Sequence, residues 1–279
     1  MYRFIPTPST SEISVGPFVI HFYALCIILG AAVAIYVGDR RFRRFGGGEN
    51  VVADVAIVAV PAGIIGGRIY HVITSPDAYF GAGGKPLDAL KIWQGGLGIW
   101  GAVALGTVAA FWQYQRLMQR KRSRLLSFAI FADALAPGIL LAQAIGRFGN
   151  WFNGELFGKP TTLPWGLEIP ENLRPIDYQN FETFHPTFLY EALWCVIIAI
   201  LIVVFDRRFL AGQKFLFYVI GYSFGRFFIE NLRIDEAHLF LGIRINVFMS
   251  LFVAIAAAYG YWKISKSAAG AKLEPENLQ

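Results

Sequence analysis

The chain alternates between long apolar stretches and shorter polar ones, and this pattern sets the expectations for its fold. Seven apolar runs have about the 20 residues that a helix needs to cross the hydrocarbon core of a membrane. They cover residues 20–38, 51–70, 95–114, 125–145, 187–205, 215–232 and 245–262, with each end placed to within a few residues. A helix satisfies its own backbone amides in lipid, and the alternating pattern of a membrane barrel is missing from the sequence. The pattern therefore predicts seven transmembrane helices.

Composition agrees with a membrane protein, because 56% of the 279 residues are hydrophobic and only 16% are charged. Soluble domains are usually less than half apolar. We therefore expect an all-α, polytopic membrane protein with a single seven-helix domain over residues 1–264. The polar segment 265–279 contains Pro275 and is predicted to be a disordered cytoplasmic tail. Because basic residues follow the first apolar run, that run is expected to stay in the membrane rather than to be cleaved as a signal peptide.

Basic residues predict the orientation, since loops rich in Lys and Arg stay in the cytoplasm. Of the 25 Lys and Arg residues, 15 lie in the loops after spans one, three, five and seven. They are Arg40, Arg41, Arg43, Arg44, Arg116, Arg120, Lys121, Arg122, Arg124, Arg207, Arg208, Lys214, Lys263, Lys266 and Lys272. The amino terminus is therefore predicted outside and the carboxyl terminus inside. The net charge of +6 is explained by these clusters, so no nucleic-acid partner is expected.

Both cysteines fall inside predicted spans. Cys26 and Cys195 have no second ligand group near them in the sequence, and small thiols of this kind usually pack as apolar side chains. We expect no disulfide, no metal, no cofactor and no cysteine nucleophile.

The stretch "GRFGNWFNGELFG", residues 146–158, places an arginine, two asparagines and a glutamate at the predicted outer end of span four. It opens the longest non-apolar segment, 146–186, whose prolines and aromatic residues are typical of an ordered cap at the membrane interface. Any chemistry is therefore expected to face outward.

Arginines in the outer halves of three spans suggest an anion site. Arg68 and Arg147 belong to spans two and four, and "GRFFIENLR" in span six places Arg226 and Glu230 four residues apart. Ionisable groups inside a bilayer cost about 3 kcal/mol or more and are functional candidates by default. A guanidinium group suits phosphate because it offers a planar fork of donors. Two simpler interpretations stay open: Arg147 snorkels at a helix end, and Arg226 forms an intrahelical ion pair with Glu230.

Other polar and small residues have structural interpretations. Asp133 in span four is expected to hydrogen-bond to a neighbouring helix, with a substrate role as the alternative. Pairs at four-residue spacing, Gly63 with Gly67 and Ala102 with Gly106, predict close helix packing. Tyr23 and Trp100 lie near outer span ends, where aromatic residues are common.

Taken together, the motifs closely resemble those of the phosphatidylglycerol:prolipoprotein diacylglyceryl transferases of bacteria. Besides the long signature, the chain has the following short motifs in the family's order: "HFYALCIILG", "GGRIYHVI", "GGLGIWGA", "HPTFLYEAL" and "GRFFIENLR". The long signature is highly specific, and the form "GGLGIWGA" resembles that of actinobacterial members.

The resemblance implies an enzyme of the bacterial cytoplasmic (inner) membrane with its active site towards the extracytoplasmic face. Its substrates would be phosphatidylglycerol, drawn from the membrane lipids, and preprolipoprotein signal peptides with a lipobox cysteine. The diacylglyceryl group would move to the cysteine thiol, forming a thioether and releasing glycerol phosphate.

Site residues follow from the resemblance, position by position. Arg147 matches the family's lipid-binding arginine, and Arg226 and Glu230 match its paired residues in span six. The other matches are expected to bind substrate and are Tyr23, Asn150, Asn153, Glu155 and Gly158. Arg147 and Arg226 are expected to clamp the phosphate, with Glu230 holding an arginine in place.

One position departs from the family's pattern. Trp100 stands where many members have a histidine that is a candidate base for the thiol. His21, His185, or arginines and water that lower the thiol pKa are alternative sources of activation. A transporter or channel with an arginine-lined cavity is the competing class of protein, and a lipid-binding scaffold without turnover is a third.

Overall fold

A long helix covers most of each of the seven apolar runs. The computed structural model describes residues 4–16, 18–81, 83–92, 95–121, 126–235, 237 and 239–271. Within them, the helices are α1 (Phe22–Arg44), α2 (Val51–Thr74), the short α3 (Asp77–Phe80), α4 (Ile99–Lys121), α5 (Phe128–Asn153), α6 (Thr187–Val204), α7 (Gln213–Glu230) and α8 (Ile245–Ala271). The chain is therefore mostly helical, as predicted.

Judged by length and composition, five of the described helices could cross a membrane: α1, α2, α5, α6 and α8. The protein is therefore a polytopic membrane protein. The helices α4 and α7 contain a smaller share of apolar residues. The helix α4 ends in Gln119, Arg120 and Lys121, and α7 begins with Gln213 and Lys214. A crossing by these two helices, like the orientation of the chain, stays a prediction.

Short strands lie in the connections and were not part of the all-α prediction. They are β1 (Ile5–Pro6), β2 (Glu12–Val15), β3 (Phe18–His21), β4 (Leu167–Glu168), β5 (Thr183–Phe184), β6 (Leu239–Phe240) and β7 (Ile243–Arg244). The strand β4 pairs in parallel with β1 and antiparallel with β5, whereas β2–β3 and β6–β7 are hairpins. Strands this short have no periodic hydrophobic signature of their own.

Two helix ends differ from the apolar runs. The helix α5 continues past residue 145 to Asn153, so the first half of the signature is helical and the irregular part of the predicted cap begins at Gly154. The helix α8 continues to Ala271, through the first part of the segment predicted to be a disordered tail. That part includes Lys266 and three alanines, residue types that have high helix propensity. Residues 272–279 of the predicted tail lie outside the described residues.

The chain divides into two compact units. The first contains Met1–Gly38 and Ala132–Gln279, and the second contains Asp39–Phe131. In the first unit, small residues let α5 and α6 pack closely around a core of Ala136, Leu140, Ala144, Ala192, Cys195, Ile198, Ala199 and Ile202. The segment after α5 folds over a second core of Phe157, Leu167, Ile169, Phe184 and Phe188, which makes it an ordered cap.

In the second unit, α2 and α4 approach closely through their glycines. The amide of Gly98 donates to the carbonyl of Gly67 over 2.9 Å, and a β-carbon at Gly63 would stand 3.4 Å from the carbonyl oxygen of Ala102. These contacts confirm the close packing that the spacing of the small residues predicted.

Candidate active site

The signature arginine lies on α5, where glycines leave room for its neighbours. A β-carbon at Gly149 would overlap the ring of Tyr23, so this ring packs directly against the backbone of α5. Tyr23, on α1, thereby contacts α5 at Gly149, two residues along the chain from Arg147. The structure therefore brings Tyr23 into contact with the signature, and its role in substrate binding stays a prediction.

Arg147 pairs with a carboxylate on another helix. Its Nε lies 2.9 Å from Oε2 of Glu191 on α6, whose side chain is only 5% exposed. Its two Nη atoms have longer contacts with neutral oxygens, 3.4 Å to Oδ1 of Asn150 and 3.3 Å to the hydroxyl of Tyr222. Arg147 therefore meets a charged partner at its Nε, in an ion pair without hydrogen-bond geometry, and its Nη atoms make long hydrogen bonds to neutral oxygens.

Arg226, on α7, stands between two carboxylates. Its Nη1 donates to Oε1 of Glu191 over 2.8 Å, and its Nη2 lies 2.7 Å from Oε2 of Glu230. The predicted intrahelical pair of Arg226 and Glu230 is thus present, but it is part of a larger array. Glu191 joins Arg226 to Arg147, so one buried carboxylate connects three helices.

Glu230, at the end of α7, is fully buried and gathers several donors. Arg244 Nε and Asn246 Nδ2 donate to its Oε1 over 2.8 and 3.0 Å. Nη1 of Arg233 lies 3.9 Å from its Oε2. A buried carboxylate is stable only when it is paired in this way.

Beyond Glu230, Asp235 joins two further arginines. Its carboxylate accepts from Nε of Arg233 over 2.6 Å and from Nη2 of Arg244 over 3.0 Å. Burial raises the pKa of the Asp235 carboxyl, but the hydrogen bonds and charges of Arg233 and Arg244 lower it by more, so this pKa lies below its usual value. An alternating series of charges therefore extends from Arg147 to Arg233.

The asparagines of the signature converge on its glutamate. Asn150 and Asn153 donate to Oε1 of Glu155 over 2.9 and 3.2 Å. Since Asn150 also accepts from Arg147, Glu155 is linked to the arginine through one amide. Gly158 lies further along the cap, where its amide donates to the carbonyl of His185 and a β-carbon would crowd His185 and the carbonyl of Leu232.

Arg68 has a different environment from the other candidate arginines. Its guanidinium group donates to backbone carbonyls of the segment before α4: Asp88, Ala89, Lys91, Gly95 and Gly96. It also lies over the ring of Tyr79, 5.2 Å from the centroid. These contacts give Arg68 a structural role, in which it holds the connection between α2 and α4.

Asp133 has the helix-to-helix role predicted for it. Its Oδ2 accepts from the amide of Gly212 over 2.6 Å and its Oδ1 from the amide of Phe215 over 2.8 Å. A side chain of α5 therefore satisfies free N–H groups at the start of α7 and places negative charge at the positive end of the helix dipole.

The candidate bases lie in separate places. His21 pairs with Glu12 on the exposed hairpin β2–β3, with Nδ1 3.1 Å from Oε2. Nδ1 of His185 lies 3.1 Å from the hydroxyl of Tyr190, and burial lowers the pKa of His185. Trp100 belongs to α4 in the second unit and is partly exposed. Among the described residues, no three His, Cys, Asp or Glu side chains are grouped to hold a metal.

Four residues of the array were missed in the sequence: Glu191, Asp235, Arg244 and Asn246. Glu191 had a readable signal, because it is the only charged residue of the apolar helix α6. Arg244 had none, since its partner Glu230 is distant in sequence. The fold and this array define a helical membrane protein with an arginine-rich polar site among its helices.

Comparisons with known proteins identify the family. A family model described as prolipoprotein diacylglyceryl transferase matches residues 11–263. The chain is 53% identical over 256 residues to phosphatidylglycerol–prolipoprotein diacylglyceryl transferase 2 of Streptomyces coelicolor, covering 91% of this chain and 78% of that protein. It is 44% identical over 290 residues to the phosphatidylglycerol–prolipoprotein diacylglyceryl transferase of Bifidobacterium adolescentis, covering 99% and 84%. The chain belongs to the prolipoprotein diacylglyceryl transferase family.

Proposed function

We propose that this protein transfers the diacylglyceryl group of phosphatidylglycerol to the lipobox cysteine of preprolipoproteins, the first step of bacterial lipoprotein maturation. The cysteine sulfur attacks the glycerol carbon that carries the phosphate, and the bond between that carbon and the phosphate oxygen breaks. A thioether forms, glycerol phosphate leaves, and the thiol proton passes to a base or to solvent. Family membership supports the reaction, and the arginine-rich array supports the site.

The observation that carries the assignment of the site is the pairing of Arg147 and Arg226 on one buried carboxylate, Glu191. Negative charge grows on the leaving phosphate as the carbon–oxygen bond breaks, and fixed cations stabilise that transition state. Arg147 and Arg226 clamp the phosphate, and Glu230 holds Arg226 in place. These three are the catalytic residues of the proposal, and they act without a metal or a cofactor.

The headgroup and glycerol backbone of the lipid lie against the signature. Asn150, Asn153 and Glu155 form a connected group of hydrogen-bonding side chains next to Arg147. Tyr23 and Gly158 complete the substrate-binding set. Both substrates reside in or on the membrane, so neither has to cross it.

The proposed topology has seven spans, with the amino terminus outside and the carboxyl terminus in the cytoplasm. The site then faces the extracytoplasmic side of the bacterial cytoplasmic membrane, where lipobox cysteines of exported precursors arrive. The basic clusters after alternate spans support this orientation.

The test is an assay of the purified protein with phosphatidylglycerol carrying labelled acyl chains and a lipobox peptide. The expected product is a peptide that carries the labelled diacylglyceryl group, and a peptide with serine in place of the lipobox cysteine is the control. Labelled lipid that binds without any modified peptide would instead indicate a scaffold. Transport of an anion into sealed vesicles, with no modified peptide, would indicate a transporter.

A further inference from the structure

Glu191 occupies an unusual place for an acidic residue. It lies on the buried face of α6 with Phe188, Ala192 and Cys195, and its side chain is only 5% exposed. An ionised carboxylate in such surroundings is stable only through its partners. Its partners are two arginines that belong to two other helices.

The two oxygens of Glu191 divide these partners between them. Oε2 faces Nε of Arg147 at 2.9 Å, and Oε1 faces Nη1 of Arg226 at 2.8 Å. Two guanidinium groups so close to the same point repel each other, and the carboxylate between them offsets that repulsion. Glu191 therefore stands between the two guanidinium groups, hydrogen-bonded to Arg226 and ion-paired with Arg147.

The two arginines differ in which of their nitrogens contact a carboxylate. Both Nη atoms of Arg226 face carboxylates, those of Glu191 and Glu230. Within the described part of the chain, Arg147 meets a carboxylate at Nε, and its Nη fork contacts neutral oxygens at 3.3 and 3.4 Å. Phosphate oxygens accept charge-assisted hydrogen bonds at about 2.7–2.9 Å and would replace such contacts.

The frame around Glu191 is closely packed. The indole of Trp194 donates to the carbonyl of Gly221 over 2.7 Å, and a β-carbon at Gly225 would overlap the same indole. The helices α6 and α7 therefore meet with little free space next to Arg226. A cleft between them is lined by Glu191, Cys195, Tyr222 and Arg226 among other residues.

We propose that Glu191 is a positioning residue for the transfer reaction, which spaces Arg147 from Arg226 and turns the Nη fork of Arg147 towards the lipid phosphate. This inference rests on the proposed function. Glu191 acts through the two arginines and touches neither substrate.

The test compares Glu191→Gln, Arg147→Lys and the double variant in the labelled-lipid assay. Glu191→Gln should lower kcat about 10- to 100-fold with a change in KM for phosphatidylglycerol below about threefold, because misaligned cations affect the transition state more than lipid binding. Since both changes disturb the same guanidinium group, Arg147→Lys should cost far less in the Glu191→Gln background than in the wild type. Glu191→Asp keeps the charge but is shorter, so its kcat should lie between those of Glu191→Gln and the wild type.

Asp133→Asn is the matched control, because it also converts a buried carboxylate to an amide but does so at the start of α7. It should lower Tm. In the double variant with Arg147→Lys, the loss of kcat/KM should equal the product of the losses in the two single variants. The inference would be overturned if the effects of Glu191→Gln and Arg147→Lys on kcat/KM also multiplied independently, or if Glu191→Gln kept the wild-type kcat. Either result would leave the proposed function intact. If Glu191→Gln does not fold, Glu191→Asp takes its place in the same cycle, with the same two criteria. A wild-type protein that makes no modified peptide would refute the proposed function itself.

Discussion

The arginines of this protein differ in which oxygens their N–H groups already contact. Among the residues that the structure describes, Arg226 meets carboxylates at both of its Nη atoms, whereas the Nη fork of Arg147 makes long contacts with an amide and a phenol. Arg68 uses its donors on backbone carbonyls. Positive charge alone therefore does not distinguish a ligand-binding arginine from a structural one. The distinction lies in the oxygens that each guanidinium already contacts.

Arg147→Lys should lose more than about 90% of turnover although the charge is kept, because an ammonium group cannot present two parallel donors to a phosphate while also pairing with Glu191. The measurement is the rate of peptide modification at saturating lipid. Arg174→Lys is the control, since Arg174 donates to the carbonyls of Ile169 and Gln179 in the cap, and it should keep at least about half of the activity. Turnover near the wild-type rate in a folded Arg147→Lys sample would exclude a two-donor clamp.

His185 should make stability depend on pH in the mildly acidic range. Burial lowers its pKa, so the unfolded chain binds a proton near pH 6.5 while the folded protein does so only at lower pH. Stability is therefore fully present above about pH 6.5 and falls as the pH drops through the folded pKa. His185→Gln should reduce the loss of Tm between pH 7.5 and 5.5. His21→Gln serves as control because His21 is 60% exposed, and an equal reduction there would contradict the assignment to His185.

Helices were the part of the fold that the sequence predicted best, and their pairings were the least predictable. Apolar runs placed α1, α2 and α4 to α8, because the hydrophobic length needed for a span is itself a physical requirement. The end of α5 was missed, since Asn150 and Asn153 break the hydropathy pattern but not the helix. Glu191 could have been noticed as a charge in an apolar helix. Its link to Arg147 and Arg226 depends on how three helices pack, and a single sequence does not contain that information.

Packing of α2 against α4 should be sensitive to single methyl groups. A β-carbon at Gly66 would overlap the carbonyl oxygen of Gly101 and the side chain of Leu105, whereas one at Gly63 would meet its neighbours at an ordinary contact distance of 3.4 Å. Gly66→Ala should therefore cost about 1–3 kcal/mol of stability and lower Tm. Gly63→Ala, on the same helix, should have a much smaller effect. Similar Tm values for the two variants would show that the helices separate without cost.

At the scale of the whole molecule, the charged side chains fall into two groups. The basic residues concentrate after alternate apolar runs, and the paired charges of the array lie within and just beyond α5, α6 and α7. The clustered basic residues are expected to set the orientation of the chain, whereas paired charges can be kept in an apolar surrounding. The two sets therefore have separate physical roles.

The proposed orientation predicts which loops a membrane-impermeant thiol reagent can reach in spheroplasts. Arg120→Cys should stay unlabelled, because the proposed topology puts this end of α4 in the cytoplasm, whereas Thr162→Cys in the cap should be labelled. The background should lack Cys26 and Cys195, of which the second is buried and the first partly so. Labelling of permeabilised cells confirms that both cysteines are reactive. The opposite pattern would place the site on the cytoplasmic side.

The cap that Asp133 provides for α7 has a consequence for biogenesis. The helix α7 is not among the five helices that could cross a membrane by length and composition. Its acidic partners on other helices, Asp133 and Glu191, are synthesised before it. In the proposed topology, α5 and α6 are already in place when α7 leaves the ribosome, so its insertion depends on them. Asp133→Asn combined with Glu191→Gln should therefore lower the fraction of chains whose Leu241→Cys, just beyond α7, is labelled from outside. Labelling of Thr162→Cys should not change, and an undiminished Leu241→Cys signal would mean that α7 inserts by itself.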